Sequence, residues 1–175
     1  MTRYADDFVL LCRSEAEART ALARVQRWVD AQGLSLHPDK TRIVDAAQGG
    51  SFDFLGYHFE RGRHWPSNKS MGKLRDAIRP KTRRSNGHSL SEIIANVNRT
   101  LRGWFEYFQH SYQTTFPGVD GWIRMRLRSI LRKRSHRRGR GRGRDHQRWP
   151  NAFFAAAGLF STTAAWQEAC QSSPR

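Results

Sequence analysis

Met1-Thr2-Arg3-Tyr4-Ala5-Asp6-Asp7-Phe8-Val9-Leu10-Leu11 opens the chain, and its reading decides the fold. Two adjacent carboxylates stand between a polar–aromatic run and a continuous apolar run. The pattern predicts a β-hairpin with Asp6 and Asp7 at or beside its turn and the apolar half buried. Two readings of the acids fit. Asp is a common turn residue, so the pair can be a plain turn between strands. Carboxylates held on a rigid support are also what a hard divalent cation such as Mg²⁺ takes as ligands. Two such ions can drive an in-line displacement at phosphorus. The local sequence does not separate the two readings.

Outward from this hairpin the pattern is strand, helix, strand, hairpin. Ser14-Glu15-Ala16-Glu17 is a capping-box pattern. Ala18, Ala21, Leu22, Val25, Trp28 and Val29 follow at helical spacing, and Gly33 suits the left-handed residue after a helix. An amphipathic helix over 15–31, packed on the sheet, is expected. Leu34 and Leu36 alternate with polar residues, and His37-Pro38-Asp39 breaks the chain. Thr41, Ile43 and Phe52–Phe59 read as strands with Gln48-Gly49-Gly50 turning between them. A bulge at Gly56 is the expected irregularity. Arg61-Gly62-Arg63 is a second turn, with a short strand after it.

Past Trp65-Pro66-Ser67 the pattern becomes helical. Ser70–Arg79 predicts a helix that Pro80 stops or kinks. Ser89-Leu90-Ser91-Glu92 is a second capping box. Behind it Leu90, Ile93, Ile94, Val97, Leu101, Trp104, Phe105 and Phe108 form one apolar stripe. A further helix is expected over Val119–Arg134, with Trp122, Ile123, Leu127, Ile130 and Leu131 inward. Its outward face would carry Arg124, Arg126, Arg128, Arg132 and Lys133. Residues 132–148 hold nine Lys/Arg with Gly139, Gly141 and Gly143 between them. Such a stretch cannot bury itself and is expected to be mobile when unbound. From Trp149 to Trp166 the sequence turns apolar again, as a tail that docks on the helices.

Charge narrows the function. The 175 residues carry 31 Lys/Arg against 15 Asp/Glu, a net charge of +16. That is too large for a typical metabolic enzyme and implies a polyanionic partner, nucleic acid before anionic membrane. Residues 1–60 hold 7 Lys/Arg and 9 Asp/Glu, whereas residues 61–175 hold 24 and 6. The binding charge therefore lies in the second part. Asp and Glu serve solubility better than Arg does, so a surplus of this size points to phosphate contact. Arg pairs with phosphate bidentately and stacks on bases. Cys12 and Cys170 are the only cysteines and form no metal motif. A reducing cytoplasm is the default compartment. His64, His88, His110, His136 and His146 lack metal-ligand spacing, and no stretch approaches a membrane span.

Tyr4-Ala5-Asp6-Asp7 resembles the palm-domain metal motif of reverse transcriptases. Gly33-Leu34-Ser35-Leu36-His37-Pro38-Asp39-Lys40-Thr41 and Phe54-Leu55-Gly56-Tyr57-His58-Phe59 are similar to the next two blocks of those enzymes. Leu101-Arg102-Gly103-Trp104-Phe105-Glu106-Tyr107-Phe108 and Trp149-Pro150-Asn151-Ala152-Phe153-Phe154 through Gly158-Leu159-Phe160 resemble the maturase part. In this order the blocks are similar to the proteins encoded by bacterial group II introns. Family members carry fingers and a third metal-binding Asp before the metal motif. The resemblance therefore implies the C-terminal portion of such a protein, beginning inside the palm.

The resemblance implies an α+β fold, a partial reverse-transcriptase palm followed by a mostly helical thumb/maturase domain. The expected division is a partial palm at 1–64, a helical domain at 65–135, a basic linker at 136–148 and a docking tail at 149–175. Asp6 and Asp7 become catalytic metal ligands for Mg²⁺, in a weak or incomplete site. Lys40 becomes a lysine near the leaving pyrophosphate, and Phe54, Leu55 and Gly56 the primer-grip region. The expected RNA-binding residues are Arg124, Arg128, Arg132, Lys133, Arg137, Arg138, Arg140, Arg142 and Arg144, with Tyr107 placed to stack on a base. The implied partner is group II intron RNA, whose splicing the protein assists; the parent activity is RNA-directed DNA synthesis. Two alternatives stand beside this. One is a split reverse transcriptase, active only with a second chain that completes the palm. The other is a non-functional remnant.

Overall fold

The computed structural model describes residues 1–139 and 141–172. It is an α+β chain of two compact units, Met1–His64 and Trp65–Arg175.

In the first unit, β1 (Thr2–Tyr4) and β2 (Asp7–Val9) pair antiparallel with Tyr4 opposite Asp7. Ala5 and Asp6 are therefore the loop residues, and Ala5 takes φ 51°. Positive φ is uncommon for a residue with a Cβ. Arg3 Nε donates to the Ala5 carbonyl at 2.9 Å and holds the bend. The apolar half is not buried: Phe8 is 37% exposed and Leu11 84% exposed. The ribbon is a two-stranded sheet of its own, and so short a ribbon has little to bury itself against.

α1 (Glu15–Ala31) starts at Ser14, whose Oγ accepts from the Glu17 amide at 3.2 Å. The box is displaced by one residue, because Glu17 Oε2 accepts from the Arg13 amide rather than from that of Ser14. Val29 is buried, and Ala18, Ala21, Leu22 and Val25 are half-buried beside it. Trp28 is 62% exposed, since it falls at the edge of the stripe that 18, 22, 25 and 29 define. The helix makes no extensive contact with either sheet among the described residues, against expectation. Gly33 closes it at φ 69°.

Thr41 and Ile43 lie in irregular backbone, not in a strand. Local bonds supply the reason. The His37 carbonyl accepts from the Lys40 and Thr41 amides, and Asp45 Oδ1 accepts from the Ala47 and Gln48 amides. Gly50 donates to the Asp45 carbonyl, and a Cβ at 50 would stand 2.5 Å from that oxygen. Only glycine fits this turn.

β3 (Ser51–Phe54), β4 (Tyr57–Glu60) and β5 (Arg63–Pro66) form a sheet in that order. Gly56 is not at a bulge. Leu55 and Gly56 form a two-residue turn with φ 48° and 80°, and Arg61 and Gly62 repeat it with 48° and 70°. Two successive positive φ values match the right-handed twist of hairpin strands. Phe52 and Phe59 are cross-strand partners and stack with centroids 5.1 Å apart.

In the second unit, α2 (Asn68–Lys81) begins at Ser67, whose Oγ accepts from the Ser70 amide. Pro80 lies in its last turn, and the helix ends one residue later. α3 (Leu90–Phe108) carries the complete capping box: Ser89 Oγ accepts from the Glu92 amide, and Glu92 Oε2 accepts from the Ser89 amide. Ile93, Ile94, Val97, Leu101, Trp104 and Phe108 are buried on one face, and Phe105 is half-buried at its edge.

α4 (Thr115–Arg134) begins four residues before the expected Val119. The Phe116-Pro117-Gly118 break is absorbed because proline is tolerated in a first helical turn. Phe116, Val119, Ile123, Leu127 and Ile130 form its buried face, while Trp122 and Leu131 are only half-buried. α5 (Asp145–Arg148), α6 (Asn151–Ala156) and α7 (Thr162–Ser172) follow. α2 packs on α3, and α7 packs on α4 and α3. No helix among the described residues is long and apolar enough to cross a membrane. Cys12 and Cys170 are free thiols.

Candidate nucleic-acid interface and acidic pair

Asp6 sits in the β1–β2 loop and Asp7 opens β2; both are exposed. Their chemistry, hard oxygen donors on a short hairpin, suits Mg²⁺. Their number does not fill its shell. Among the described residues no group of three or more His, Cys, Asp or Glu stands ready to hold a metal ion. The residues present therefore do not by themselves fit a catalytic Mg²⁺, and no reaction step is derived through one. Lys40 is exposed in the turn that the His37 carbonyl closes. No hydrogen bond or ion pair among the described residues joins it to Asp6 or Asp7. Phe54 ends β3, half-buried opposite Tyr57, and Leu55 and Gly56 are the turn beyond it.

The arginines of the second unit divide into two sets. The first is turned inward. Arg128, expected on the outer face of α4, is 3% exposed. Its Nε donates to the Trp149 carbonyl at 2.9 Å and its Nη2 to Asn151 Oδ1 at 2.8 Å. Its guanidinium lies 5.1 Å from the Phe154 ring centroid. Burial, and then the neighbouring Arg124 charge, pull its pKa below the ordinary arginine value, partly opposed by Asp145. Position 128 follows 127 on the face that the tail covers, so an outward reading from charge alone fails there.

Arg132 is half-buried; its Nε donates to the Arg138 carbonyl at 2.7 Å and its Nη1 to Asp145 Oδ2 at 2.6 Å. Asp145 is 1% exposed. Burial raises its pKa, but the Arg132 and Arg142 hydrogen bonds and the Arg132 and Arg137 charges lower it further, to a net value below the ordinary carboxylate. Arg126 donates from Nε to Thr82 Oγ1 and from Nη2 to the Arg79 and Thr82 carbonyls. Arg124 is half-buried, 3.9 Å from Asp120 Oδ2.

These contacts correct the picture of residues 136–148 as a mobile linker. Gly141 is buried, donates to Ser129 Oγ at 3.1 Å, and would clash with Arg128 Cβ at 2.6 Å if it carried a Cβ. Arg84 Nη1 holds the Gly139 carbonyl at 2.7 Å. The inward arginines satisfy a segment that its composition alone would leave unfolded. Arg140 lies outside the described residues.

The second set faces solvent. Lys133, Arg137, Arg138, Arg142 and Arg144 are exposed. Tyr107 is 54% exposed on α3, its ring edge against Phe108.

Three polar hubs were missed by the sequence reading. Asp120 is 4% exposed and accepts from Ser161 Oγ, Thr162 Oγ1 and the Thr162 and Thr163 amides, which fixes the start of α7. Asn98 accepts from the Phe160 amide and donates to the Gly158 carbonyl. Asp145, a lone acid among cations, was the one with a visible signal.

Residues 71–149 match the group II intron, maturase-specific domain, and residues 1–59 match the reverse transcriptase (RNA-dependent DNA polymerase) family. No curated protein matches the chain. A reverse-transcriptase segment followed by a maturase segment, over an α+β fold, is a defining order: the chain belongs to the family of group II intron-encoded reverse transcriptase/maturase proteins.

Proposed function

We propose that the chain binds group II intron RNA through its second unit and assists splicing by stabilising the folded intron. One observation carries this reading: the division of the arginines. Arg126, Arg128 and Arg132 are consumed in holding the fold. Lys133, Arg137, Arg138, Arg142 and Arg144 are displayed on a segment those residues make rigid. Preorganised cations meet phosphate with less ordering cost than a floppy tail does. In this reading 1–64 is part of a palm, 65–135 the thumb/maturase domain, 136–148 the phosphate-binding segment and 149–175 its docked support. Tyr107 is the stacking residue, and Arg124 contributes from the edge of the surface.

The test is splicing of a group II intron RNA at limiting Mg²⁺, with and without the chain. The reading expects faster splicing, lost when Arg137, Arg138, Arg142 and Arg144 are changed to Gln. Equal stimulation by wild type and variant would remove this surface from the activity.

A second reading is favoured by the exposed apolar residues of the first unit, among them Leu11 at 84%, Trp28 at 62% and Leu34 at 62%. Such surface suits a second chain that completes the palm and adds the carboxylate Asp6 and Asp7 lack. Asp6, Asp7, Lys40 and the turn at Phe54, Leu55 and Gly56 would then belong to a polymerase site. Primed RNA, dNTPs and Mg²⁺ with the chain alone should give no extension. Extension that disappears with Asp6→Ala would place a complete site within this chain.

A further inference from the structure

An apolar groove of about 150 Å³ lies between α2 and α4, and Met71, Leu74 and Arg75 form one wall. Gly118, Val119 and Trp122 form the other, with Thr115 at the end. Drug-sized ligands fill roughly 300–1,000 Å³, so this groove takes one flat group rather than a whole small molecule. No carboxylate lines it. Arg75 is exposed on its wall, and the Arg126 guanidinium lies 5.4 Å from the Trp122 ring centroid. Arg79, one turn along α2, is neutralised by Asp76. An indole, a thioether and methyl groups in the walls, with cations beside them, complement a π-face that carries a phosphate.

We propose that the groove receives one unpaired base of the bound RNA, set against Trp122, with an adjoining phosphate on Arg75. This rests on the RNA-binding reading above and adds a subsite to it. Unpaired bases are commonly held against aromatic rings and arginine planes. A double helix could not enter so narrow a space, so the subsite selects single-stranded RNA. Gly118 leaves the room: a Cβ there meets nothing within 4 Å.

Gly118→Leu should therefore fill the groove without a clash and strengthen the helix, because Leu has the higher helix propensity. A short unstructured RNA carrying one 4-thiouridine is photocrosslinked to the full chain. Crosslinks are expected on peptides holding Met71 or Trp122, and should vanish in Gly118→Leu. The variant's Kd for the RNA should weaken about tenfold. Its salt slope should stay that of wild type, because no phosphate contact is removed. An abasic residue at the crosslinked position should weaken binding to the wild-type chain by a similar factor, which needs no altered protein.

Salt-sensitive binding without groove crosslinks would overturn the subsite and leave the RNA-binding reading standing. So would binding to Gly118→Leu and to the abasic RNA at full strength, which would assign the groove to an apolar side chain of a protein partner. No binding of RNA by the wild-type chain at low salt would overturn both.

Discussion

Arg128 and Arg137 carry the same charge and do opposite work. Arg128 serves the Trp149 carbonyl and Asn151 from a buried position. Removing it leaves those acceptors without their donor and opens a void beside Phe154. Arg128→Ala should cost about 3 kcal/mol of stability, the upper range for hydrogen bonds to a charged group. Lys should not rescue it, since an ammonium lacks the fork. Arg137→Ala should leave the melt within about 0.5 kcal/mol of wild type and weaken RNA binding instead. Denaturant titration with binding on the same samples separates the two effects.

Asp145 gives a pH signature. Its folded pKa is depressed, chiefly by Arg132 once burial is overcome. A depressed carboxylate contributes stability above its unfolded pKa, and that contribution is lost as pH falls through the folded value. The chain should thus lose stability on acidification below the ordinary Asp range, and Asp145→Asn should flatten that limb while lowering stability at neutral pH. An unchanged acid limb in Asp145→Asn would show that the pair with Arg132 does not hold the segment. Neither role is written in local sequence. Arg126, Arg128 and Arg132 stand among equally charged neighbours, and what turns them inward is a tail more than ten residues away. Only Asp145, an acid in a basic run, marked itself.

Helices announced themselves where a cap and a stripe agree. Ser89 and Glu92 bracket the start of α3, and the stripe through Phe108 fixes its buried face. Ser89→Ala should cost about 1 kcal/mol, read as a shift in the urea midpoint without a change in slope. No shift would mean that the cap contributes nothing beyond what water supplies. Short strands were less legible. Thr41 and Ile43 have strand composition, but Asp45 takes the nearby amides into a turn. Leu55 gave no warning that it occupies positive φ, since the glycine beside it suited a bulge equally well. The start of α4 was missed because Pro117 and Gly118 read as a break, although both are harmless in a first turn.

On the scale of the whole molecule, the charge asymmetry survives into the structure as a division of labour. Residues 61–175 carry 24 of the 31 Lys/Arg, and the described cations of 133–144 face solvent except where they brace the fold. The order of blocks along the chain pointed to the family, and the two family matches fall on the same two parts of it. The acidic pair was legible as a motif. Its completion was not, because a metal shell is assembled from distant strands that local sequence does not describe. The central claim is that the braced segment around Arg137–Arg144 is the phosphate-binding surface. Its most direct measurement is the salt dependence of intron RNA affinity, for the wild-type chain and for a variant with Arg137, Arg138, Arg142 and Arg144 changed to Gln. At roughly 0.7–0.9 in log–log slope per phosphate contact, the variant's slope should be shallower by about 3, with the thermal melt unchanged. An identical slope and affinity in a variant that melts like wild type would contradict the account.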